Sequence, residues 1–192
     1  MKNKQKDIVA KLTDKELLLN VYLSQLILLI ISLVLSWLLF SNVFTPLQFY
    51  NFMDGQILTV GVSAACIVVL IDLILMKQLP PRFYDDGGIN ERLFTDRGVF
   101  HIFLMCICIA FTEELLFRGV IQSYFGLIVA SIIFALVHYR YLFNWFLFVN
   151  IVLLSFFIGV IYEWTDNLAV TTVMHFLIDF SLGLFIYYKN KR

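Results

Sequence analysis

The sequence LLLNVYLSQLILLIISLVLSWLLF, residues 17–40, decides the class of this protein. It holds 24 residues and not one charged side chain. An α-helix rises about 1.5 Å per residue, so about 20 apolar residues cross the hydrocarbon core of a bilayer. The run is longer than the apolar part of a typical signal peptide, and no small-residue cleavage site follows it. We therefore interpret it as a retained membrane span.

The composition of the whole chain leads to the same class. Of its 192 residues, 61% are hydrophobic and 15% are charged, and the formal net charge is zero. The mean hydropathy is +0.88. A soluble domain of this size would have too little polar surface to cover itself, so the composition predicts an integral membrane protein. The sequence lacks the basic patches with interleaved aromatic residues that indicate a nucleic-acid partner.

Long apolar runs with turn-like breaks predict an all-α, polytopic transmembrane helix bundle with about six spans. The predicted spans are residues 17–40, 56–76, 98–124, 127–143, 144–164 and 168–188. We divide the chain into an N-terminal two-span region with a cytoplasmic tail and loop, residues 1–97, and a core of four helices, residues 98–192.

The basic residues are distributed unevenly between the two sides of this predicted bundle. Of the 14 lysines and arginines, 13 lie in the N-terminal segment, in the loop at 77–97, at Arg140 or in the C-terminal tail. The fourteenth, Arg118, lies within a predicted span. Because cytoplasmic loops carry an excess of Lys and Arg, this pattern predicts a multi-pass protein of the cell membrane with both termini in the cytoplasm.

Three charged residues interrupt the third apolar run, in FTEELLFRGV at 111–120. A charge at the centre of a span costs roughly 2.5–3.5 kcal/mol, so such residues usually mark a functional site or a packing pair. Glu114 and Arg118 are four residues apart and are expected to pair on one helix face. Glu113 lies about 100° around the helix, which leaves it as the unpaired carboxylate.

Two later spans carry histidines among apolar residues. His138 lies in the fourth predicted span, and His175 and Asp179 share one face of the last span. At about 1.5 Å per residue, Glu114 and His138 lie ~15 and ~18 Å along their helices from the turn at 124–126. His175 lies ~12 Å from the turn that ends at Asn167. Three helices are therefore expected to bring polar groups to one layer near the middle of the membrane.

Several functions are compatible with such a layer. A carboxylate and a histidine can activate water or hold a metal that does so, and a second histidine can stabilise an oxyanion. The same residues could instead be structural polar pairs in a non-proteolytic membrane scaffold that regulates a partner such as a sensor kinase. A small ion-coupled transporter is the third reading, since ion paths also place charges within spans.

Three short segments resemble the ordered motifs of one family. EELLFRG at 113–119, FALVH at 134–138 and HFLID at 175–179 are similar to the EExxxR, FxxxH and HxxxN/D motifs of the CPBP family. That family groups CAAX prenyl endopeptidases with bacteriocin-processing and immunity proteins, and is also called Abi. The resemblance covers residues 98–185. It implies a bacterial intramembrane endopeptidase that cleaves a membrane-associated peptide or protein, in peptide maturation or bacteriocin self-immunity.

The resemblance also implies roles for individual residues. Glu113 and His138 would activate water, and His175 and Asp179 would stabilise the oxyanion. The supporting residues would be Glu114, Arg118 and Phe134. The same four catalytic residues would be the ligands of a divalent metal, zinc first, if the enzyme is a metalloprotease; a metal-free glutamate mechanism is the alternative.

Position 179 departs from the commoner family pattern, since many members have Asn there. An ionised Asp179 would repel an oxyanion, which favours a metal or an altered activity. The implied partners are membrane lipid and a peptide or membrane-protein substrate, with no nucleic acid. The sequence does not predict an oligomeric state.

Overall fold

A computed structural model describes residues 11–95, 97–138, 141 and 144–191. Within these residues every regular element is helical, which confirms the all-α prediction. The main helices are α1 (Asp14–Phe40), α2 (Ile57–Gln78), α3 (Ile89–Phe94), α4 (Val99–Phe125), α5 (Leu127–Val137), α6 (Trp145–Thr165) and α7 (Leu168–Lys189).

Polar side chains define where three of these helices begin. Thr13 and Glu16 form a capping box at the start of α1, each satisfying a backbone N–H of the other. The side chain of Asn144 accepts from the first backbone N–H groups of α6, and that of Asn167 does the same for α7. The helix predicted at 144–164 therefore begins and ends one residue later, because Asn144 is its N-cap and not its first residue.

In the described part of the chain, five helices are long and apolar enough to cross a membrane: α1, α2, α4, α6 and α7, with 27, 22, 27, 21 and 22 residues. The chain is thus a multi-pass membrane protein. In contrast, α5 has only 11 residues, about 16 Å of helix. The predicted fourth span differs here because the helix ends at His138, whose backbone leaves the helical region (φ −84°, ψ 33°).

The chain nevertheless crosses the bundle a sixth time. Leu127 follows the end of α4, whereas the side-chain amide of Asn144 donates to the carbonyls of Arg82 and Asp85, at 3.2 and 3.3 Å. Those two carbonyls lie in the connection between α2 and α4, at the end of the bundle where α4 begins. Of this crossing, Leu127–Val137 is α-helical and the backbone of His138 leaves the helical region.

Both ends of the described chain lie at the same end of the bundle. Arg92 Nε donates to Asp14 Oδ1 at 2.7 Å, and the Asn190 amide donates to the hydroxyl of Thr95 at 2.9 Å. The beginning of α1 and the end of α7 are therefore both tied to the α3 region. This agrees with an even number of crossings. That this end faces the cytoplasm remains a prediction, as does the division of the chain at residue 97.

The last helix, α7, lies in the centre of the bundle. Its core residues pack on one side against α4 and on the other against α2 and α6. Close approach depends on glycine: a Cβ on Gly61 of α2 would lie 2.9 Å from the carbonyl oxygen of Val170. The outward faces of α1 and α2 instead expose leucine and isoleucine, as expected of helices that face lipid.

Candidate active site

The two glutamates lie where the hydrogen-bond pattern of α4 changes. Residues up to Glu114 are α-helical, and Leu115–Gln122 form a π-helix, in which the backbone N–H of Ser123 donates to the Arg118 carbonyl five residues earlier. Such wider turns are rare and occur frequently at functional sites. Both carboxylates are buried, so each requires a polar partner inside the bundle.

Glu114 has cationic partners from two helices. Arg118 Nη1 lies 3.4 Å from Glu114 Oε1, the pair that the spacing predicts, and His175 Nδ1 lies 2.9 Å from the same oxygen. Arg118 Nη2 also donates to the carbonyl of Ser155 at 3.1 Å. An isolated charge is very costly in a low-dielectric interior, so Glu114 needs these cationic partners. Together, the contacts of Glu114 and Arg118 connect α4 with α6 and α7.

The ring of Phe134 lies against His138 and Arg118 and near His175. Its ring stacks on His138 with the centroids 4.4 Å apart, and Arg118 Cζ lies 4.8 Å from its centroid. Phe117 packs against it edge-on at 4.8 Å, and His175 lies 6.4 Å away. The side chain is 1% exposed. Phe134 therefore sets the plane in which His138 is held.

Glu113 and His138 face each other at the centre of the site. His138 Nε2 lies 3.9 Å from Glu113 Oε2, and His138 Nδ1 lies 2.8 Å from the carbonyl of Phe134. A carbonyl only accepts, so we assign the proton of the neutral ring to Nδ1 and a lone pair to Nε2. A separation of 3.9 Å is too long for a direct hydrogen bond and suits two acceptors bridged by one water.

His175 and Asp179 form the opposite wall of the site. His175 Nε2 lies 3.5 Å from Asp179 Oδ2, while its Nδ1 faces Glu114. A ring with a carboxylate at each nitrogen is best satisfied as an imidazolium that donates to both. The site is sealed at one edge and accessible at the other, since the side chains of Glu114 and Arg118 are at most 1% exposed and that of Asp179 is 31% exposed.

Two residues of the site were absent from the sequence prediction. Gln25 of α1 directs its Nε2 at Glu113 Oε1 at 3.4 Å, and Thr112 directs its hydroxyl at Gln25 Oε1. The spacing places Glu113 outside the Glu114–Arg118 pair, as predicted, but did not reveal that Gln25 of another helix contacts it. The available signal was a glutamine in the middle of an apolar run.

The predicted metal ligands are Glu113, His138, His175 and Asp179. Among the described residues, no three or more His, Cys, Asp or Glu side chains are grouped so that they could hold a metal. Both nitrogens of His175 face carboxylates and leave no lone pair for an ion. The four side chains as arranged do not fit a single bound ion, and the metal remains a sequence-based prediction.

Comparison with known families agrees with the motifs. Residues 95–181 match the model of the type II CAAX prenyl endopeptidase Rce1-like family. The chain belongs to the CPBP family. The uncharacterized protein YpbD of Bacillus subtilis (strain 168) is 41% identical over 170 residues, which cover 88% of this chain and 90% of that relative. This similarity reaches beyond the family model and into the first two spanning helices. No solved structure matches the chain.

Proposed function

We propose that this CPBP-family protein is an intramembrane endopeptidase in which Glu113 and His138 hold and activate the attacking water. The observation that carries the proposal is the 3.9 Å separation of Glu113 Oε2 and His138 Nε2. Both atoms are acceptors when His138 Nδ1 bonds the Phe134 carbonyl. Such a pair binds both hydrogens of one water and directs the oxygen lone pair outward.

The proposed reaction is the hydrolysis of one peptide bond. Glu113 takes a proton as the water oxygen attacks the scissile carbonyl carbon, so a C–O bond forms and an oxyanion develops. Glu113 then gives this proton to the leaving nitrogen, and the C–N bond breaks. The products are a carboxyl terminus and an amine. A positioned general base typically contributes 10²–10⁴-fold to such a rate.

His175 is proposed to act on the oxyanion, and Asp179 is proposed to orient His175. The imidazolium of His175 supplies positive charge beside the reacting carbonyl, where a low-dielectric site strengthens its effect. Asp179 and Glu114 hold the ring in place through its two nitrogens. A carboxylate at position 179 that donates nothing to the substrate therefore still has a role, because it orients the histidine.

The substrate class follows from where the site lies. The reacting groups are inside a bundle of spanning helices, and the accessible edge is formed by His138 and Asp179, whose side chains are 18% and 31% exposed. A membrane-associated peptide or protein that enters from this edge is the substrate we propose. Maturation of a secreted peptide and self-immunity to a bacteriocin, in a bacterial cell membrane, are the proposed biological settings.

The test is cleavage by the purified protein in liposomes. The substrates would be quenched-fluorescence peptides, each with an apolar anchor of about 20 residues and a variable extramembrane segment. Glu113→Gln should abolish cleavage while its thermal unfolding matches that of the wild type. Metal analysis of the same samples, and assays with and without chelator, would show whether an ion takes part.

Two other outcomes would favour different functions. If Glu113→Ala leaves the cellular phenotype intact at unchanged protein level, the chain acts as a scaffold, for example for a sensor kinase. If liposomes show proton or ion flux that Asp179→Asn abolishes, the chain is a transporter. Either result would overturn the protease proposal.

A further inference from the structure

We infer that Gln25, on the first spanning helix, is a positioning residue for Glu113, and that Thr112 holds the Gln25 amide in the orientation this requires. The inference rests on the proposed function, since it describes how the water-activating carboxylate is kept in place. Gln25 lies outside the residues that match the family model, which begin at 95.

The first observation is that Gln25 is a buried polar residue in a helix whose exposed face is mostly apolar. Its side chain is 6% exposed, whereas most of the apolar neighbours on α1 are exposed on the outer surface. An amide without hydrogen bonds in such a place would cost roughly 1–3 kcal/mol. Gln25 instead uses both ends of its amide within the site, on Glu113 and on Thr112.

The second observation fixes the direction of that amide. The hydroxyl of Thr112 is directed at Gln25 Oε1, and Gln25 Nε2 lies 3.4 Å from Glu113 Oε1. The opposite orientation would place the Gln25 carbonyl oxygen against the Glu113 carboxylate, where two acceptors repel each other. The carboxylate therefore selects the orientation with the NH₂ group toward Glu113. Thr112, whose hydroxyl also lies 2.9 Å from the Cys108 carbonyl and 3.2 Å from the Ile109 carbonyl, contacts the opposite end of the amide.

The consequence concerns the second oxygen of Glu113. Gln25 holds Oε1, and this fixes the rotation of the carboxylate so that Oε2 faces His138 at 3.9 Å. Without the amide, the carboxylate could turn about its terminal bond, which is broad and weakly restrained. Misplacement of a reacting group by about 1 Å can cost 10²-fold in rate. The first helix thus completes a site whose reacting groups all lie on other helices.

The test uses variants that remove one link at a time, assayed in liposomes with the quenched peptides described above. Gln25→Met keeps the length of the side chain and removes both hydrogen bonds. Thr112→Val keeps the shape and removes the hydroxyl, and Thr112→Ser restores it. The control is Ser36→Ala, which removes a buried hydroxyl from the same helix, where it donates to the Asn42 carbonyl at 2.8 Å.

We expect Gln25→Met to lower kcat by about 10- to 100-fold with KM within about two-fold, because orientation rather than binding is lost. Thr112→Val should lower kcat by a smaller factor, and Thr112→Ser should recover it. The double variant should be no worse than Gln25→Met, since the two changes break one chain of contacts. Ser36→Ala should leave kcat unchanged.

A purely structural role is separated from positioning by these factors. If Gln25→Met and Thr112→Val each leave kcat within about two-fold while Glu113→Gln abolishes cleavage, the positioning role is overturned and the proposed function stands. If the double variant lowers kcat by the product of the two single-variant factors, Gln25 and Thr112 act independently, and the proposed chain of contacts is overturned. If Glu113→Gln cleaves normally, the proposed function itself fails.

A second measurement needs no substrate. The infrared carboxylate band of Glu113 is obtained at one pH as the spectrum of each protein minus that of the same protein with Glu113→Gln. The frequency of this band should change in Thr112→Val and in Gln25→Met, and should stay the same in Ser36→Ala. An unchanged band in a folded Thr112→Val protein would overturn the inference even if Gln25→Met does not fold.

Discussion

The Nδ1 of His175 lies 2.9 Å from Oε1 of Glu114, inside the bundle, and this contact joins α7 to α4. Glu114 is therefore more than the internal partner of Arg118. The Glu114 carboxylate contacts both Arg118, a structural cation, and His175, which takes part in the proposed reaction. The stability of the bundle and the geometry of the site are coupled through this oxygen.

Removal of the buried cation should destabilise the protein strongly. Arg118→Met would leave the carboxylate of Glu114 in the core with His175 as its remaining cationic partner. We expect a loss of about 3–5 kcal/mol in the free energy of unfolding, as for other broken buried pairs. Unfolding in mixed micelles would measure it.

The matched control for Arg118→Met is the double variant Glu114→Gln, Arg118→Met. It removes the Glu114 charge together with its Arg118 partner, so it should be more stable than the single variant. If Arg118→Met lowers the free energy of unfolding by less than about 1 kcal/mol, the contacts of Glu114 do not hold α4, α6 and α7 together. The same conclusion follows if the double variant is less stable than Arg118→Met.

Phe134 should affect stability and rate separately. Phe134→Ala would leave a cavity under His138 and beside Arg118, and is expected to cost about 3–5 kcal/mol. Phe134→Leu fills most of the volume but removes the flat ring on which His138 stacks, so it should fold and have a lower kcat. Parallel measurements of unfolding and cleavage would check this. Equal kcat for Phe134→Leu and wild type would refute a role in holding His138.

Asn167 should be important for the end of the bundle opposite the chain termini. Its Oδ1 accepts from the backbone N–H groups of Ala169 and Asn51, and its Nδ2 donates to Asn51 O and Asp54 Oδ2. Loss of a helix cap costs about 0.5–2 kcal/mol, so Asn167→Ala should cost at least that. Thr45→Ala, in the loop between α1 and α2 that Asn167 contacts, serves as the control. Unfolding curves that coincide for Asn167→Ala and wild type would contradict the capping role.

The same loop gives a prediction on pH. The pKa of the Asp54 carboxyl is held below its ordinary value because the backbone N–H of Gln56 and the amide of Asn167 donate to it. A group with a lowered folded-state pKa stabilises the protein above its unfolded pKa, about 3.9 for Asp, and this contribution is lost as the pH falls further. Asp54→Asn should remove that part of the acid sensitivity, measured as Tm between about pH 5 and pH 3. An unchanged slope would show that Asp54 is not responsible.

Five of the six predicted spans match helices of the described chain, because a span depends on length and rise per residue alone. The Glu114 and Arg118 pair followed from the spacing of one helix. Contacts between helices did not follow: hydropathy fixes how deep Gln25 and His175 lie but not which neighbour each one faces. The end of α5 at Val137 was also missed, because hydropathy does not reveal that the backbone of His138 leaves the helical region.

The central claim is that Glu113 is the base that activates water, and its most direct test is the turnover of Glu113→Gln in liposomes against wild type. The substitution keeps the size of the side chain and removes the basic oxygen. We expect a loss of about 10²–10⁴-fold in kcat with unchanged unfolding. A Glu113→Gln protein that cleaves the same peptides within about three-fold of the wild-type kcat would contradict it.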